Sequence, residues 1–138
     1  MIGLDTNVLI RYITRDDPEQ YRAAKAFLES NCTKEAPGYV NVIVLCEIVW
    51  VLTSAYDATE DDVVRIIDQL LRTQQLHIEH RDQVRTALEQ YNRKAAGFPD
   101  CLLGQLNQAA DCTETVTFDQ DASDMSGWRE LSSSQSAP

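Results

Sequence analysis

The sequence is short of the residues that hold soft metals or staple a chain covalently. Its 138 residues include four cysteines, none in a CxxC spacing, and two histidines, His77 and His80. A structural zinc site needs four such ligands in a tight pattern, and a disulfide framework needs a cysteine-dense secreted chain. Neither is expected here. Two of the cysteines sit inside apolar stretches and read as small hydrophobes, and the histidines read as strand-end residues. Long apolar runs are missing too. The longest, 42–52, contains Glu47 and is too short to cross a bilayer. The start has no basic segment, and Asp5 breaks its first apolar stretch, unlike a signal peptide. The expectation is a soluble, cytoplasmic protein with no membrane association.

Basic residues are the other shortage. Lys and Arg number 12 against 22 Asp and Glu, a net charge of −10. Phosphate binding draws on Lys and Arg, and a strongly acidic surface repels nucleic acid. The excess is uneven, however. From residue 95 onward seven acids face one base, Arg129, while bases gather upstream in two groups. One is Arg11, Arg15, Arg22 and Lys25; the other is Arg81, Arg85, Arg93 and Lys94. A basic rim around an acidic centre fits this pattern, and so does a solvated surface with scattered arginines.

What is present is a globular composition, 43% hydrophobic and 25% charged, at the length of one ordinary domain. Residues 1–4 read as a buried first strand ending at Asp5, with Thr6 or Asn7 opening the helix that follows. Pro18 opens a second helix with Tyr21, Ala24, Phe27 and Leu28 on one face. After a loop at 34–38, Tyr39 and Val40 begin a short strand and Asn41 is placed to cap the run 42–52. That run is rich in β-branched residues and fits a buried strand or a helix; its length and cap favour helix. Val63, Ile66, Ile67, Leu70 and Leu71 mark an amphipathic helix, followed by a strand at 76–79. Val84, Ala87, Leu88 and Tyr91 mark the next helix. Pro99 sits in the first turn of one carrying Leu102, Leu103, Leu106 and Ala110. Strands at 114–118 and 129–131 complete the pattern. Strands separated by helices imply an α/β fold with a parallel sheet sandwiched between helices. We expect one domain over 1–131 and a disordered Ser-rich tail over 132–138.

Four carboxylates stand out. Glu47 is the one charge among eleven apolar positions, so it is expected to face a packed core on at least one side. An unpaired buried carboxylate has its pKa raised by up to about 3–5 units unless an arginine, hydrogen bonds or a metal compensate. Asp5 ends the first strand, and in open parallel sheets the ligand crevice lies outside the carboxyl ends of the strands. Asp119 stands just past a later strand. Asp100 opens a helix, where favourable interaction with the helix dipole is reason enough for an acid. Singly, Asp100 and Asp119 read as structural. If all four converge, each pair about 4 Å apart repels by roughly 4 kcal/mol at an effective dielectric near 20. Oxygen ligands without histidine or cysteine would then favour Mg²⁺ or Mn²⁺, and such a cluster suits phosphodiester hydrolysis.

These motifs also carry a resemblance. Ile2-Gly3-Leu4-Asp5-Thr6-Asn7-Val8-Leu9 is similar to the start of PIN domains, especially the VapC toxins of bacterial toxin–antitoxin pairs. Leu45-Cys46-Glu47 resembles their second acidic motif, Phe98-Pro99-Asp100-Cys101-Leu102-Leu103 the third and Thr117-Phe118-Asp119 the fourth. Four motifs in order over nearly the whole chain make a specific match. The resemblance implies a metal-dependent endoribonuclease, a protein antitoxin that blocks the site, and commonly a homodimer. It makes Asp5, Glu47, Asp100 and Asp119 the catalytic, metal-binding acids. Thr6 and Asn7 would order the first motif and Thr117 the fourth. Many relatives have another acid three residues before the third motif's aspartate; here that position is Gly97. Asp121 is a spare acid expected to face solvent.

Three competing readings stay open. A receiver-type signalling domain also clusters acids on a parallel sheet, but it needs a paired acid near the first strand and a late lysine. Here Thr6 and Asn7 follow Asp5, and no lysine occurs after Lys94. A catalytically silent PIN-fold binding module keeps the fold without the chemistry. An acid-cluster nuclease acting on DNA is the third. No motif reads an RNA sequence, so the target RNA is not legible.

Overall fold

A computed structural model describes residues 1–93 and 96–132. They form two compact units, Met1–Arg81 and the residues from Asp82 onward. The tail expected over 132–138 lies outside the described residues except for Ser132.

The first unit holds a three-stranded parallel sheet in the order β1 (Ile2–Gly3), β2 (Gly38–Val40), β3 (Leu76–Ile78). Ile2 lies opposite Gly38, which in turn lies opposite Leu76. Gly38 is at the crowded centre. A Cβ there would stand 2.6 Å from Leu4 Cδ1 and 3.2 Å from Cys32 Sγ, so the absence of a side chain lets Leu4 and Cys32 close over the middle strand.

Its helices begin where local chemistry sets them. Asp5, with extended backbone, accepts from the Thr6 amide and caps α1 (Thr6–Thr14). The helix thus begins at Thr6, one of the two starts expected, with Asp5 as its cap because the strand passes straight into the helix. Arg15, at φ 57°, ends α1 in the left-handed region. Asp17 accepts from the Gln20 amide and Pro18 supplies a preset first turn for α2 (Pro18–Asn31).

Asn41 accepts from the Val44 amide at 2.9 Å and opens α3 (Val42–Ala55). The 42–52 run is thus helical despite its β-branched residues. The cap and a buried stripe of Val44, Leu45, Ile48, Val49 and Leu52 outweigh the propensity penalty. Each such side chain, fully buried, contributes roughly 1.5–3 kcal/mol. A reciprocal Thr59–Asp62 capping box opens α4 (Glu60–Arg72), whose Val63, Ile67, Leu70 and Leu71 face the core.

The second unit contains most of α5 (Arg81–Asn92), then α6 (Phe98–Ala109), β4 (Thr115–Thr117), a short α7 (Gln120–Ser123) and β5 (Trp128–Glu130). β4 and β5 pair in parallel, Thr115 opposite Trp128 and Thr117 opposite Glu130. Its core gathers Val84, Leu88, Tyr91, Phe98, Cys101, Leu102 and Met125. Gly104 of α6 lies against the indole of Trp128. The strands are shorter than the sequence pattern suggested, and α7 was not anticipated. All pairings are parallel and helices alternate with strands, so the fold class is the α/β one expected. Among the described residues, no helix is long and apolar enough to cross a membrane.

Candidate metal-binding acids

In the first unit, Asp5 sits at the carboxyl end of β1 and the amino end of α1, exposed to solvent. Its Oδ1 accepts from the Thr6 amide at 2.7 Å, a helix-capping task that leaves Oδ2 for a ligand. Next to it, Thr6 is 8% exposed and its Oγ1 is buried without a hydrogen-bond partner among the described residues. A buried hydroxyl left unpaired costs about 1–3 kcal/mol, so this position beside Asp5 is one where a polar ligand would be welcome. Asn7 is exposed and, with Asp5 and Arg11, forms the polar edge of an apolar cavity of about 510 Å³ walled by Ile2, Val8 and Phe27.

Glu47 overturns one expectation. It lies on the exposed face of α3, not toward the core. Ile43 and Trp50, one turn to either side, are also exposed, at 67% and 69%. A helix apolar almost all round does not reveal from composition which face is buried, and here the packed stripe excludes 43, 47 and 50. No hydrogen bond or ion pair engages Glu47 among the described residues.

In the second unit, Asp100 and Asp119 line one cavity of about 420 Å³, together with Asp121 and Asp124. Asp100 belongs to the first turn of α6 and is half-buried. Asp119 follows β4 and caps α7, accepting from the Asp121 amide at 3.0 Å. Thr117 Oγ1 accepts from the Asp119 amide at 3.0 Å and so holds the turn in which Asp119 stands. Among the described residues, neither Lys nor Arg lines this cavity. Asp121 is solvent-exposed, as expected, but it also faces the cavity; Asp124 was not singled out at all. The signal for both was a spacing of three acids within six residues, which a four-residue helix wraps around one opening.

The donor chemistry of these positions is hard. The neighbouring thiols do not change that: burial pushes the pKa of Cys46 up, and burial with the charge of Asp100 pushes that of Cys101 up. Both stay protonated at neutral pH. Within each unit, the described residues include no three His, Cys, Asp or Glu side chains close enough to hold an ion by themselves. Mg²⁺ tolerates so sparse a set, since it keeps several waters and takes one or two carboxylates. Carboxylates with unspent oxygens, an acid-lined cavity and a buried hydroxyl beside Asp5 fit such an ion.

An α/β chain with acids at the ends of its strands and the starts of its helices is the class that fold and site define. The sequence pattern of the PIN domain family matches residues 2–127, and the chain belongs to that family. It is also similar to the VapC ribonuclease of Aquifex aeolicus (strain VF5), 24% identical over 115 residues that cover 83% of this chain and 84% of that protein.

Proposed function

We propose that residues 1–131 form a single metal-dependent endoribonuclease domain, the toxin of a toxin–antitoxin pair, which hydrolyses RNA phosphodiesters in the cytoplasm. Asp5 and Glu47 from the first unit and Asp100 and Asp119 from the second are its metal-holding acids, with Mg²⁺ or Mn²⁺ as cofactor. Thr6, Asn7 and Thr117 order the acids beside them. The observation that carries this reading is the cavity shared by Asp100 and Asp119, lined by four aspartates. Membership of the PIN family and the similarity to a VapC ribonuclease support it.

When bound, a divalent ion offsets phosphate charge and lowers the pKa of a coordinated water. The protein's own part is to hold carboxylate oxygens at fixed positions. Asp5 and Asp119 are anchored by their capping bonds through one oxygen and present the other. Water, not the ribose 2′-hydroxyl, is the nucleophile, so the products carry 5′-phosphate ends. Net acidity is then no obstacle, since the acids and the phosphate share a counter-ion.

The partners are RNA, a cognate antitoxin protein and a second copy of the chain. The exposed Ile43 and Trp50 on α3 support the last, because large apolar side chains left in water favour association. The capping roles of Asp5 and Asp119 favour one other reading, a PIN-fold binding module without catalysis, in which these acids serve helix starts alone. Mapping RNA ends after brief expression of the parent and of Asp5→Asn separates the two. New 5′-phosphate ends with the parent, absent with a folded Asp5→Asn protein, support hydrolysis. Ends bearing 2′,3′-cyclic phosphate, or equal cleavage by Asp5→Asn, contradict it.

A further inference from the structure

The positive charge that the sequence places among its acids is not spread evenly over the first unit. A groove of about 660 Å³ runs between the carboxyl-terminal ends of α1 and α3 and the length of α4. Arg15, Arg65 and Arg72 line it, against one acid, Asp62. In a chain of net charge −10, three guanidinium groups along one groove are a local gathering of base, with Asp62, Asp16 and Asp68 engaged beside them. Asp62 accepts from the Thr59 amide and from Arg65 at 3.1 Å. Arg72 pairs with Asp68 at 2.9 Å, an exposed ion pair of the kind that contributes little to stability.

Among the described residues, Arg15 has no carboxylate partner. Its guanidinium lies 4.8 Å from the centre of the Tyr21 ring, and Tyr21 stacks in turn on Tyr12, whose ring also lines the groove. The left-handed backbone at Arg15, φ 57°, turns the chain out of α1 at this point. Tyr56, at the end of α3, donates to Asp16 Oδ2 at 2.6 Å, and Thr14 and Arg11 engage Oδ1 of the same carboxylate. This network joins the turn after α1 to the end of α3.

We infer that this groove is a second RNA-binding site, seating the phosphodiester backbone of a single-stranded stretch on Arg15, Arg65 and Arg72, with Tyr12 as a stacking face. Guanidinium groups match phosphate geometry, and aromatic rings beside a basic track hold unpaired bases without regard to sequence. The inference rests on the ribonuclease reading above, and it adds where substrate is held away from the acids. Asp5 and Arg15 flank the two ends of α1, about 15 Å apart along its axis. A few nucleotides of one strand span that length.

The test is fluorescence anisotropy with a labelled oligouridine, in EDTA so that the RNA is not cut, at low and moderate salt. Arg15→Glu/Arg72→Glu should bind roughly tenfold more weakly than the parent at low salt, with a shallower salt dependence. Arg15→Lys/Arg72→Lys should recover most of the affinity, and circular dichroism should show all variants folded. Arg22→Glu/Lys34→Glu makes the same change in net charge outside the groove and should bind close to the parent. Equal weakening by both charge reversals, or unchanged binding by the groove variant, overturns the inference while leaving the ribonuclease reading intact. A parent protein that neither binds nor cuts RNA overturns both.

Discussion

Gly104 lies inside α6, where glycine should be a defect. Replacing it with alanine in an open helix would stabilise the chain by about 0.5–1 kcal/mol, because alanine loses less conformational freedom on folding. The surroundings reverse that sign. A Cβ at this position would stand 2.5 Å from Trp128 Nε1, 3.1 Å from Cε2 and 3.2 Å from Cζ2. The indole is planar and stiff, so it must move as a whole or push β5 away. Overpacking of this kind costs about 1–3 kcal/mol. Set against the propensity gain, Gly104→Ala should be destabilising by roughly 0.5–2 kcal/mol, a fall in Tm of several degrees by circular dichroism. The consequence reaches the acids, since α6 carries Asp100 and β5 pairs with β4, which leads into Asp119. In a Trp128→Leu background the clash is gone, and the same substitution should turn stabilising. A higher Tm for Gly104→Ala with Trp128 present would refute the packing argument.

The start of α3, two turns ahead of Trp50, offers two further tests. Asn41→Ala removes the side chain that accepts from the Val44 amide and should cost about 1 kcal/mol of stability by thermal or urea unfolding. Glu79 accepts from the Val42 amide at 3.0 Å. That bond and one from Tyr39 hold its carboxyl below the usual pKa, against the opposing effect of burial. A depressed folded-state pKa means stability that is present above the unfolded value, near 4.3, and lost as pH falls through the folded one. Glu79→Gln should therefore lower Tm at neutral pH and match the parent in strong acid; a constant difference across that range would contradict the assignment.

Much of the framework was legible because helix starts are chemically local. Thr6, Pro18, Asn41 and Pro99 each sit where a first turn needs them, and α1, α2, α3 and α6 begin at those signals or one residue away. The strand ends were less sharp, since Gly38–Val40 and Thr115–Thr117 are only three residues long and period-two alternation needs more. Glu47 was misjudged for a different reason. Its helix carries Ile43, Trp50 and Val51 as well as the buried stripe, so apolar composition could not say which face packs. Asp121 and Asp124 were missed as cavity-lining acids because α7, four residues long, leaves no periodic trace. Nor could a linear sequence show that the arginines at 15, 65 and 72 share one groove.

Cleavage of a labelled RNA by purified protein, with and without divalent metal, bears most directly on the role given to the acids. The account predicts cutting in Mg²⁺ or Mn²⁺, none in EDTA, and loss of activity in folded Asp100→Asn and Asp119→Asn proteins. Cutting that persists in EDTA, or in both variants, would contradict it.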